Sequence, residues 1–138
     1  MERALHVLVI DDDSDVRETT QWLLEDAGFT VSVVTSGQQG LRLQRVRPAD
    51  VVVTDIYMPD KDGIETIAEF RQRFPQVPIV VISGAGSSGN TTHLFAAREL
   101  GAHEVLRKPF DPGKLVEAVR TAARAGGAGG AGGAGANP

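Results

Sequence analysis

The stretch "DVVVTDIYMPDKDG", residues 50–63, places a carboxylate at the end of an apolar run. Residues 51–54 are three valines and a threonine, a composition that favours a strand buried on both faces. Such a strand can hold Asp55 only at its tip, and Pro59 and Gly63 interrupt regular structure just beyond it. The pattern therefore predicts a charged group at a strand end, next to a turn. A single tip of this kind would also suit an ordinary acidic turn.

Three further apolar runs end in polar side chains that could act together with Asp55. The first run ends in Asp11 and Asp12, the fourth ends in Ser83, and the last is followed by Lys108. In open α/β sheets, ligands bind at the carboxyl ends of parallel strands. We therefore expect these side chains to meet at one edge of a sheet.

The chemistry of this group points to phosphoryl transfer. Three carboxylates brought together repel one another, and Mg²⁺ bound by carboxylates, a backbone carbonyl and waters would compensate that charge. Lys108 offers a mobile positive charge and Ser83 a hydrogen-bond donor. A cation, an ammonium group and a hydroxyl around one carboxylate would stabilise a transferring phosphoryl group, and Asp55 can be its covalent acceptor.

The elements that must position these groups alternate along the chain. Strands are predicted at residues 5–10, 30–34, 50–54, 78–82 and 104–106. Five helical patterns follow them, and the fourth covers residues 91–100. The first helix ends at Gly28, the second opens with Ser36 and Gln39 at capping-box spacing, and the fifth opens with Asp111 and a proline. This alternation predicts a doubly wound α/β fold with a parallel sheet, right-handed crossovers and helices on both faces.

Two local patterns refine this arrangement. The second strand, "TVSVV", alternates apolar and polar residues, which is typical of an edge strand. In the first helix, Val16, Thr19, Thr20, Leu23, Leu24 and Ala27 form the predicted buried stripe. Trp22 lies opposite that stripe, so we expect it to be exposed.

Composition excludes several classes of protein. The chain has 138 residues, enough for one domain, with 41% hydrophobic and 23% charged residues. A net charge of −4 and the lack of a basic run give no indication of nucleic-acid binding. The absence of cysteine excludes disulfides, thiol catalysis and cysteine-bound zinc.

Segment composition suggests a soluble cytoplasmic protein with one folded domain. The N-terminus does not have the apolar run of a signal peptide, and no segment approaches the ~20 apolar residues of a membrane span. We therefore expect no membrane contact. Residues 1–125 are predicted to form the domain, and residues 126–138, a Gly/Ala repeat, a disordered tail or linker.

Taken together, four motifs resemble the receiver (CheY-like) domain of two-component response regulators. They are "VIDDD", "TDIYMPDKDG", "ISG" and "KPF". The similarity covers residues 5 to 124, nearly all of the predicted domain. It implies a flavodoxin-like (βα)₅ fold with five parallel strands in the order 2-1-3-4-5.

The resemblance also implies roles for the residues at the strand ends. Asp55 is expected to be the phosphoacceptor. Asp11, Asp12, Asp55 and the main-chain carbonyl of Tyr57 are expected to hold Mg²⁺, with Mn²⁺ as a possible substitute. The phosphoryl group would come from a sensor histidine kinase or a histidine phosphotransfer protein. The domain is then a signalling module that promotes only its own phosphorylation and dephosphorylation.

On the other side of the acceptor, the resemblance assigns Ser83 and Lys108 to contacts with the phosphoryl group. It predicts a cis peptide before Pro109. The signal would pass through the surface formed by the fourth and fifth predicted helices and the fifth strand. The signal would pass to a downstream protein that the sequence does not identify. Phosphorylation-dependent dimerisation of this domain is one expected outcome.

One position departs from the usual pattern of receiver domains, and two others are expected to change the rate at which the phosphoryl group is lost. Val105 occupies the position at which most receivers carry an aromatic switch residue, so the conformational response is expected to rely on the Gly/Ser-rich loop at residues 84–92 and the helix after it. Bulky Tyr57 can limit access of water to the phosphoryl group. Ala85 offers no group to position an attacking water, so we expect slow loss of phosphate.

Other functions remain open from the sequence. "VIDDDSD" also fits a haloacid-dehalogenase-type phosphatase with Asp11 as nucleophile and Asp13 as acid/base, but that leaves Asp55 without a role. A flavodoxin-like flavin binder would need a phosphate-binding loop where this chain has four acids in five residues. A receiver-like adaptor that never takes phosphate is a third alternative, and the complete acid–serine–lysine set argues against it.

Overall fold

The computed structural model describes residues 4–56, 63–83, 98–99, 101–107 and 110–125. Within these residues five strands alternate with four helices. The strands are β1 (His6–Ile10), β2 (Thr30–Val34), β3 (Val51–Asp55), β4 (Ile79–Ser83) and β5 (Glu104–Arg107). The helices are α1 (Ser14–Asp26), α2 (Gly37–Val46), α3 (Gly63–Arg73) and α4 (Pro112–Ala125).

Two predicted segments fall largely outside these ranges. Of the predicted fourth helix, only Arg98 and Glu99 are described, and both are helical. The helix predicted as the fifth is therefore α4 here. The Gly/Ala repeat at residues 126–138 also lies outside the described residues, so its predicted disorder stays a prediction.

The strands form one parallel sheet in the order β2-β1-β3-β4-β5, which confirms the predicted topology. β3 lies in the centre, between β1 and β4. Strand β3 begins and ends one residue later than predicted, because Asp55 continues the ladder opposite Ile82. Asp50 instead exchanges hydrogen bonds with the backbone of His6 through its own N–H and its side chain.

Both faces of the sheet are covered, so β1, β3 and β4 are buried along their whole length. On one face the strands pack against α1 and α4 through Leu24 and Leu115. On the other face they pack against α2 and α3, with Phe70 and Ile67 fully buried. β2 is an edge strand of partly exposed residues, as its sequence pattern predicted.

The helix ends follow the local signals closely. Asp13 caps α1, and its side chain accepts hydrogen bonds from the N–H groups of the first turn. Gly28 follows the helix with φ of +102°, the left-handed conformation that glycine adopts most readily. The Ser36 hydroxyl accepts from the N–H of Gln39, whereas the Gln39 side chain reaches back to Thr35 instead of closing the full capping box.

Two side-chain predictions for α1 have different outcomes. Trp22 is 63% exposed, as predicted. Thr19 was predicted to lie on the buried stripe and is exposed, because the buried face of α1 is narrower and centres on Thr20 and Leu24. None of the described helices is long and apolar enough to cross a bilayer.

Candidate functional site

Asp55 ends the central strand of the sheet and is only 7% exposed. Its neighbours in sequence, Thr54 and Ile56, are both 1% exposed. The N–H of Ile56 donates to the carbonyl of Ile82 at 3.0 Å, so pairing with β4 continues past the acid. The carboxylate is therefore held by backbone that cannot easily move, at the carboxyl edge of the sheet.

Asp11 lies at the same edge on the adjacent strand. Ile10 pairs with Thr54, so the residues that follow them, Asp11 and Asp55, continue the two paired strands side by side. Asp11 is 2% exposed. Its N–H donates to the carbonyl of Val34 at 3.2 Å. The sequence predicted that these two carboxylates lie near each other. They are found at the ends of neighbouring parallel strands, and both are buried.

The loop after Asp11 is organised by its side chain. Oδ1 of Asp11 accepts a hydrogen bond from the backbone N–H of Asp13 at 2.9 Å. The side chain of Asp13 in turn accepts from the N–H groups of Asp15 and Val16 at the start of α1. Asp12, between them, is exposed. α1 begins directly after this acidic loop. The positive end of the helix dipole therefore lies beside the loop and attracts the negative charges of its carboxylates.

Ser83 completes the described part of the site. It is the last residue of β4 and is 6% exposed. Ser83 pairs with Arg107, the exposed last residue of β5. The fold thus brings Asp11, Asp55 and Ser83 to the ends of three strands that are neighbours in the sheet, β1, β3 and β4, at its carboxyl edge.

The remaining predicted site residues divide into two groups. Val105 lies in β5 opposite Val81, is partly buried and packs against the core under α2 and α3. Tyr57, Ala85, Lys108 and Pro109 lie outside the described residues. Their assigned roles, including the cis peptide, stay predictions.

The described donor atoms suit a small, hard cation. Among the described residues no three His, Cys, Asp or Glu side chains are grouped so that they could hold a metal ion by themselves. The edge offers two buried carboxylates, Asp11 and Asp55, with Asp12 exposed beside them. Mg²⁺ is bound by few carboxylates and keeps several waters, so this donor set fits Mg²⁺ better than a metal that needs a complete cage of side chains.

Two contacts at the site were not anticipated from the sequence. Arg17 donates from Nη1 to the carbonyl of Asp11 at 2.9 Å, which fixes the acidic loop and adds positive charge beside it. Thr54 is buried, and its hydroxyl donates to the carbonyl of Asp55 at 3.1 Å. A threonine within a run of valines was the available signal for the second contact. Arg17 gave none, because a basic residue on an exposed helix turn is common.

Comparisons with known proteins agree with this geometry. Residues 7–120 match the model of the family described as the response regulator receiver domain. The chain therefore belongs to the response regulator receiver domain family.

Particular relatives are longer regulators. The chain is 35% identical over 122 residues to the transcriptional regulatory protein FixJ of Azorhizobium caulinodans, covering 88% of this chain and 56% of FixJ. It is 32% identical over 124 residues to the transcriptional regulatory protein CseB of Streptomyces avermitilis, covering 90% of this chain and 51% of CseB. The chain spans between a quarter and just over half of the length of the curated relatives it matches.

A solved structure shows the same fold over a similar length. The response regulator receiver domain protein from Clostridium thermocellum superposes with a TM-score of 0.77 at 32% identity, covering 88% of this chain and 95% of that one. This chain is thus a receiver domain, a signalling domain homologous to parts of transcriptional regulators.

Proposed function

We propose that this receiver domain takes up a phosphoryl group on Asp55 in the presence of Mg²⁺ and passes the signal on by protein–protein contact. Receiver domains of response regulators interact with histidine kinases. The donor is therefore a phosphohistidine on a sensor histidine kinase or a histidine phosphotransfer protein. Such a protein works in the cytoplasm, where kinase domains and ATP are found.

The observation that carries the proposal is the placement of the two buried carboxylates. Asp11 and Asp55 continue adjacent paired strands and are 2% and 7% exposed, respectively. Burying two like charges side by side is costly unless other groups compensate them. Carboxylates at this edge are useful when a cation is to be held beside a reacting group.

The transfer itself requires little movement of the protein. An oxygen of the Asp55 carboxylate forms a bond to phosphorus while the bond between phosphorus and the histidine nitrogen breaks. The leaving imidazole takes up a proton from solvent. Because the backbone of Asp55 is fixed by β3 and by the Ile56–Ile82 hydrogen bond, the carboxylate is attached to a rigid segment at the edge that the phosphohistidine would approach.

Mg²⁺, when bound, neutralises charge on the phosphoryl oxygens during transfer. In this chain Asp11, Asp12, Asp55 and the carbonyl of Tyr57 would hold it. The Ser83 hydroxyl, at the end of the neighbouring strand, and Lys108 would hydrogen-bond the oxygens of the phosphoryl group. Asp11 can serve in this way while it accepts from Asp13, since a carboxylate has about four lone-pair sites.

The hydrogen bonds made by the Asp13 side chain argue against the phosphatase alternative. That mechanism needs Asp13 as a mobile acid/base. Its Oδ1 instead accepts from two backbone N–H groups, 2.9 Å from Asp15 and 3.3 Å from Val16, and caps α1. A carboxylate fixed in this way serves the helix, so we do not propose ester hydrolysis.

The response to phosphorylation is proposed to involve residues 84–95 and the β5–α4 surface. Val105 is a β-branched side chain with few rotamers, partly buried against the core, so it cannot swing as an aromatic gate does. Added negative charge near Ser83 would then act mainly on the chain after β4. Amide exchange measured with and without phosphorylation tests this, and unchanged exchange in residues 84–95 argues against it.

Phosphorylation is tested by incubating the protein with Mg²⁺ and acetyl phosphate and measuring the intact mass. One phosphoryl adduct is expected in the unchanged protein and none in Asp55→Asn. Asp26→Asn is a matched control, because it makes the same change at an exposed acid in the last turn of α1. Removing the metal with a chelator should abolish the adduct. An adduct of equal yield in Asp55→Asn would place the acceptor elsewhere.

A further inference from the structure

Two exposed hydrophobic side chains stand out on the described surface, Trp22 at 63% and Val46 at 76% exposure. They lie on different helices in opposite electrostatic surroundings. Neither belongs to the edge that carries Asp55. A large exposed aromatic side chain flanked by charges is a candidate contact residue, because aromatic residues are enriched at the energetically important positions of interfaces.

Trp22 lies in the middle of an acidic stripe along α1. Its members lie three or four residues from a member on the next turn of the helix, with Glu25 and Asp26 both one turn after Trp22, so they share one face of the helix. All are exposed. We call them the α1 acidic stripe: Asp15, Glu18, Trp22, Glu25 and Asp26. Three of the four acids thus lie within one turn of Trp22, and Asp15 lies two turns before it.

The C-terminal part of α2 has the opposite charge. Arg42, Arg45 and Arg47 are exposed and surround Val46 in sequence. Within the described residues, none of the three guanidinium groups makes a hydrogen bond or ion pair. They are therefore available to an acidic partner.

A cavity that is open to solvent lies at the C-terminal end of α2, and its lining residues Gln44 and Ala49 flank the segment that carries Arg45 and Arg47. Its volume is about 340 Å³, and most of its lining is apolar. The lining includes Gln44, Ala49, Phe74, Pro75, Val77 and Pro78. Because Gln44 and Ala49 precede and follow residues 45–48, that segment lies beside the cavity. We call Arg42, Arg45, Val46, Arg47 and this cavity the α2 basic surface.

Two of the three polar side chains that line the cavity, those of Gln44 and Asp50, are already hydrogen-bonded, and the third, Gln76, is exposed. The Gln44 amide donates to the carbonyl of Ala49 at 3.2 Å and accepts from its N–H at 2.9 Å. The Asp50 carboxylate, which also lines the cavity, accepts from the N–H of His6 at 2.8 Å. The cavity therefore offers apolar contact in its interior, while the arginines beside it supply charge. Its volume is at the lower end of the ~300–1,000 Å³ of small-ligand sites, which suits one large side chain.

We propose that the α2 basic surface binds the α1 acidic stripe of a second copy of this chain, with Trp22 seated against the cavity. An aromatic anchor in an apolar pocket with charged groups at the rim is the arrangement found at energetically important contacts. The chain carries both halves of such a contact: four carboxylates on the same helix face as an indole, and three guanidinium groups on the helix end next to an apolar pocket. This proposal does not depend on phosphorylation.

A nucleic acid is the less suitable occupant. Three arginines neutralise few phosphates, so the electrostatic contribution to nucleic-acid binding would be small. An apolar pocket and an exposed valine contribute little to phosphate binding. A partner that combines acids with an aromatic ring uses every feature of the surface.

The geometry makes the contact heterologous. α1 packs on one face of the sheet and α2 on the other, so the two surfaces point away from each other. Two copies therefore cannot satisfy both contacts at once, and association continues beyond the dimer in a head-to-tail manner. The face of a single helix buries less than the ~1,000 Å² of a stable interface, so the association is weak and reversible.

The test is sedimentation velocity of the unphosphorylated protein over a concentration series up to about 1 mM, where contacts with a Kd of that order are populated. At low salt, the average mass should rise with concentration and pass that of a dimer. In about 1 M salt, where the Debye length is about 3 Å, the rise should disappear. A monomer at all concentrations and at low salt would overturn the proposal.

Charge reversal tests which surfaces meet. Arg45→Glu/Arg47→Glu and Glu18→Arg/Asp26→Arg should each remain monomeric alone, because like charges then face each other. An equimolar mixture of the two variants should associate again. Lys114→Glu/Arg124→Glu, which makes the same change of charge at exposed positions of α4, should behave as the unchanged protein. Association that persists in Arg45→Glu/Arg47→Glu, or that is lost equally in the α4 control, would refute the assigned surfaces.

Trp22 supplies an independent signal, since it is the chain's single tryptophan. Its emission should shift to shorter wavelength with concentration at low salt, as the indole leaves water, and should not shift in Arg45→Glu/Arg47→Glu. Trp22→Ala should reduce self-association at least tenfold. Binding of a DNA duplex to the α2 basic surface without self-association would overturn the choice of occupant.

Discussion

The side chain of Asp11 and the backbone of Asp13 are joined by a hydrogen bond of 2.9 Å from the Asp13 N–H to Asp11 Oδ1. The same Asp13 caps α1 with its own carboxylate. One of the two buried acids of the site is thereby connected to the start of a helix. The acids of "DDDSD" are consequently not interchangeable, and each occupies a different environment.

The first prediction separates capping from chemistry at Asp13. Asp13→Ala should lower the free energy of unfolding by about 1 kcal/mol, because two N–H groups of the first turn lose their acceptor. Asp13→Asn, which keeps a cap, should lose much less. Urea denaturation measures both. Phosphorylation by acetyl phosphate should persist in Asp13→Asn, and its complete loss there would indicate a direct role of the Asp13 carboxylate in the chemistry.

A second prediction concerns the close contact of α2 and α3. A Cβ on Gly37 would lie 3.1 Å from Cγ2 and 3.2 Å from Cβ of Thr66, closer still to Oγ1, and Thr66 is fully buried. Because a β-branched side chain has little rotamer freedom, Gly37→Ala should cost roughly 1–3 kcal/mol of stability. The measurement is again urea denaturation.

Two further variants check that explanation. Thr66→Ala in the Gly37→Ala background should recover much of the loss, since it removes the atoms that clash. Gly113→Ala in α4 is the matched control, because its Cβ would meet only the Asp111 carboxylate at an ordinary 3.6 Å. Equal destabilisation by Gly37→Ala and Gly113→Ala would show that the contact with Thr66 is not responsible.

A third prediction follows from His103, in the turn before β5. Burial lowers the pKa of His103 below 6.5, the nearby Arg71 guanidinium lowers it further, and Glu104 partly opposes both. The unfolded chain therefore binds a proton at higher pH than the folded one. Stability from this group is fully present above pH 6.5 and is lost as the pH falls through the lower pKa of the folded state.

The measurement is the thermal midpoint as a function of pH for the unchanged protein and for His103→Asn. The difference between the two should change below pH 6.5 and stay constant above it. His6→Asn is not a suitable control, since the His6 ring is hydrogen-bonded to Pro48 and Ser32 and its loss would perturb the fold. Parallel pH profiles of the two proteins would contradict the role of His103.

A fourth prediction concerns the lifetime of the phosphorylated form. Tyr57→Asn should open access for water, and Ala85→Glu should supply a group that positions it, so each should speed the loss of phosphate severalfold. Both positions lie outside the described residues, and the expectation comes from the family resemblance. Decay of the phosphorylated mass after removal of the donor measures the rate. Unchanged decay in both variants would mean that other residues set it.

Sequence patterns were most informative where one physical effect dominates. The buried strands, the cap at Ser36 and the stop at Gly28 were predictable, because hydrophobic periodicity and backbone hydrogen bonding decide them locally. The placement of Asp11 beside Asp55 was predictable only from topology. The order of the strands in the sheet determines which strand ends are neighbours. That order was inferred from the resemblance of the motifs to those of receiver domains.

Side-chain hydrogen bonds across the turns of the sheet, whether between near or distant residues, were not predictable from the sequence. Gln44 bridging to Ala49, and His6 bonded to Ser32 and Pro48, depend on how the turns at the amino edge of the sheet fold together. No spacing of glutamine or histidine in the sequence predicts such hydrogen bonds. The exposure of Thr19 was missed for a related reason, since the width of a buried helix face is set by the neighbouring elements.

The central position of β3 has a consequence for how a signal could leave the site. Residues 52–54 are at most 1% exposed and paired on both sides, so this segment should be among the last to open in hydrogen exchange. The proposed acceptor thus follows a segment that resists rearrangement. We therefore expect the structural response to phosphorylation to occur in the turns and helix ends around the sheet and to leave β3 itself unchanged.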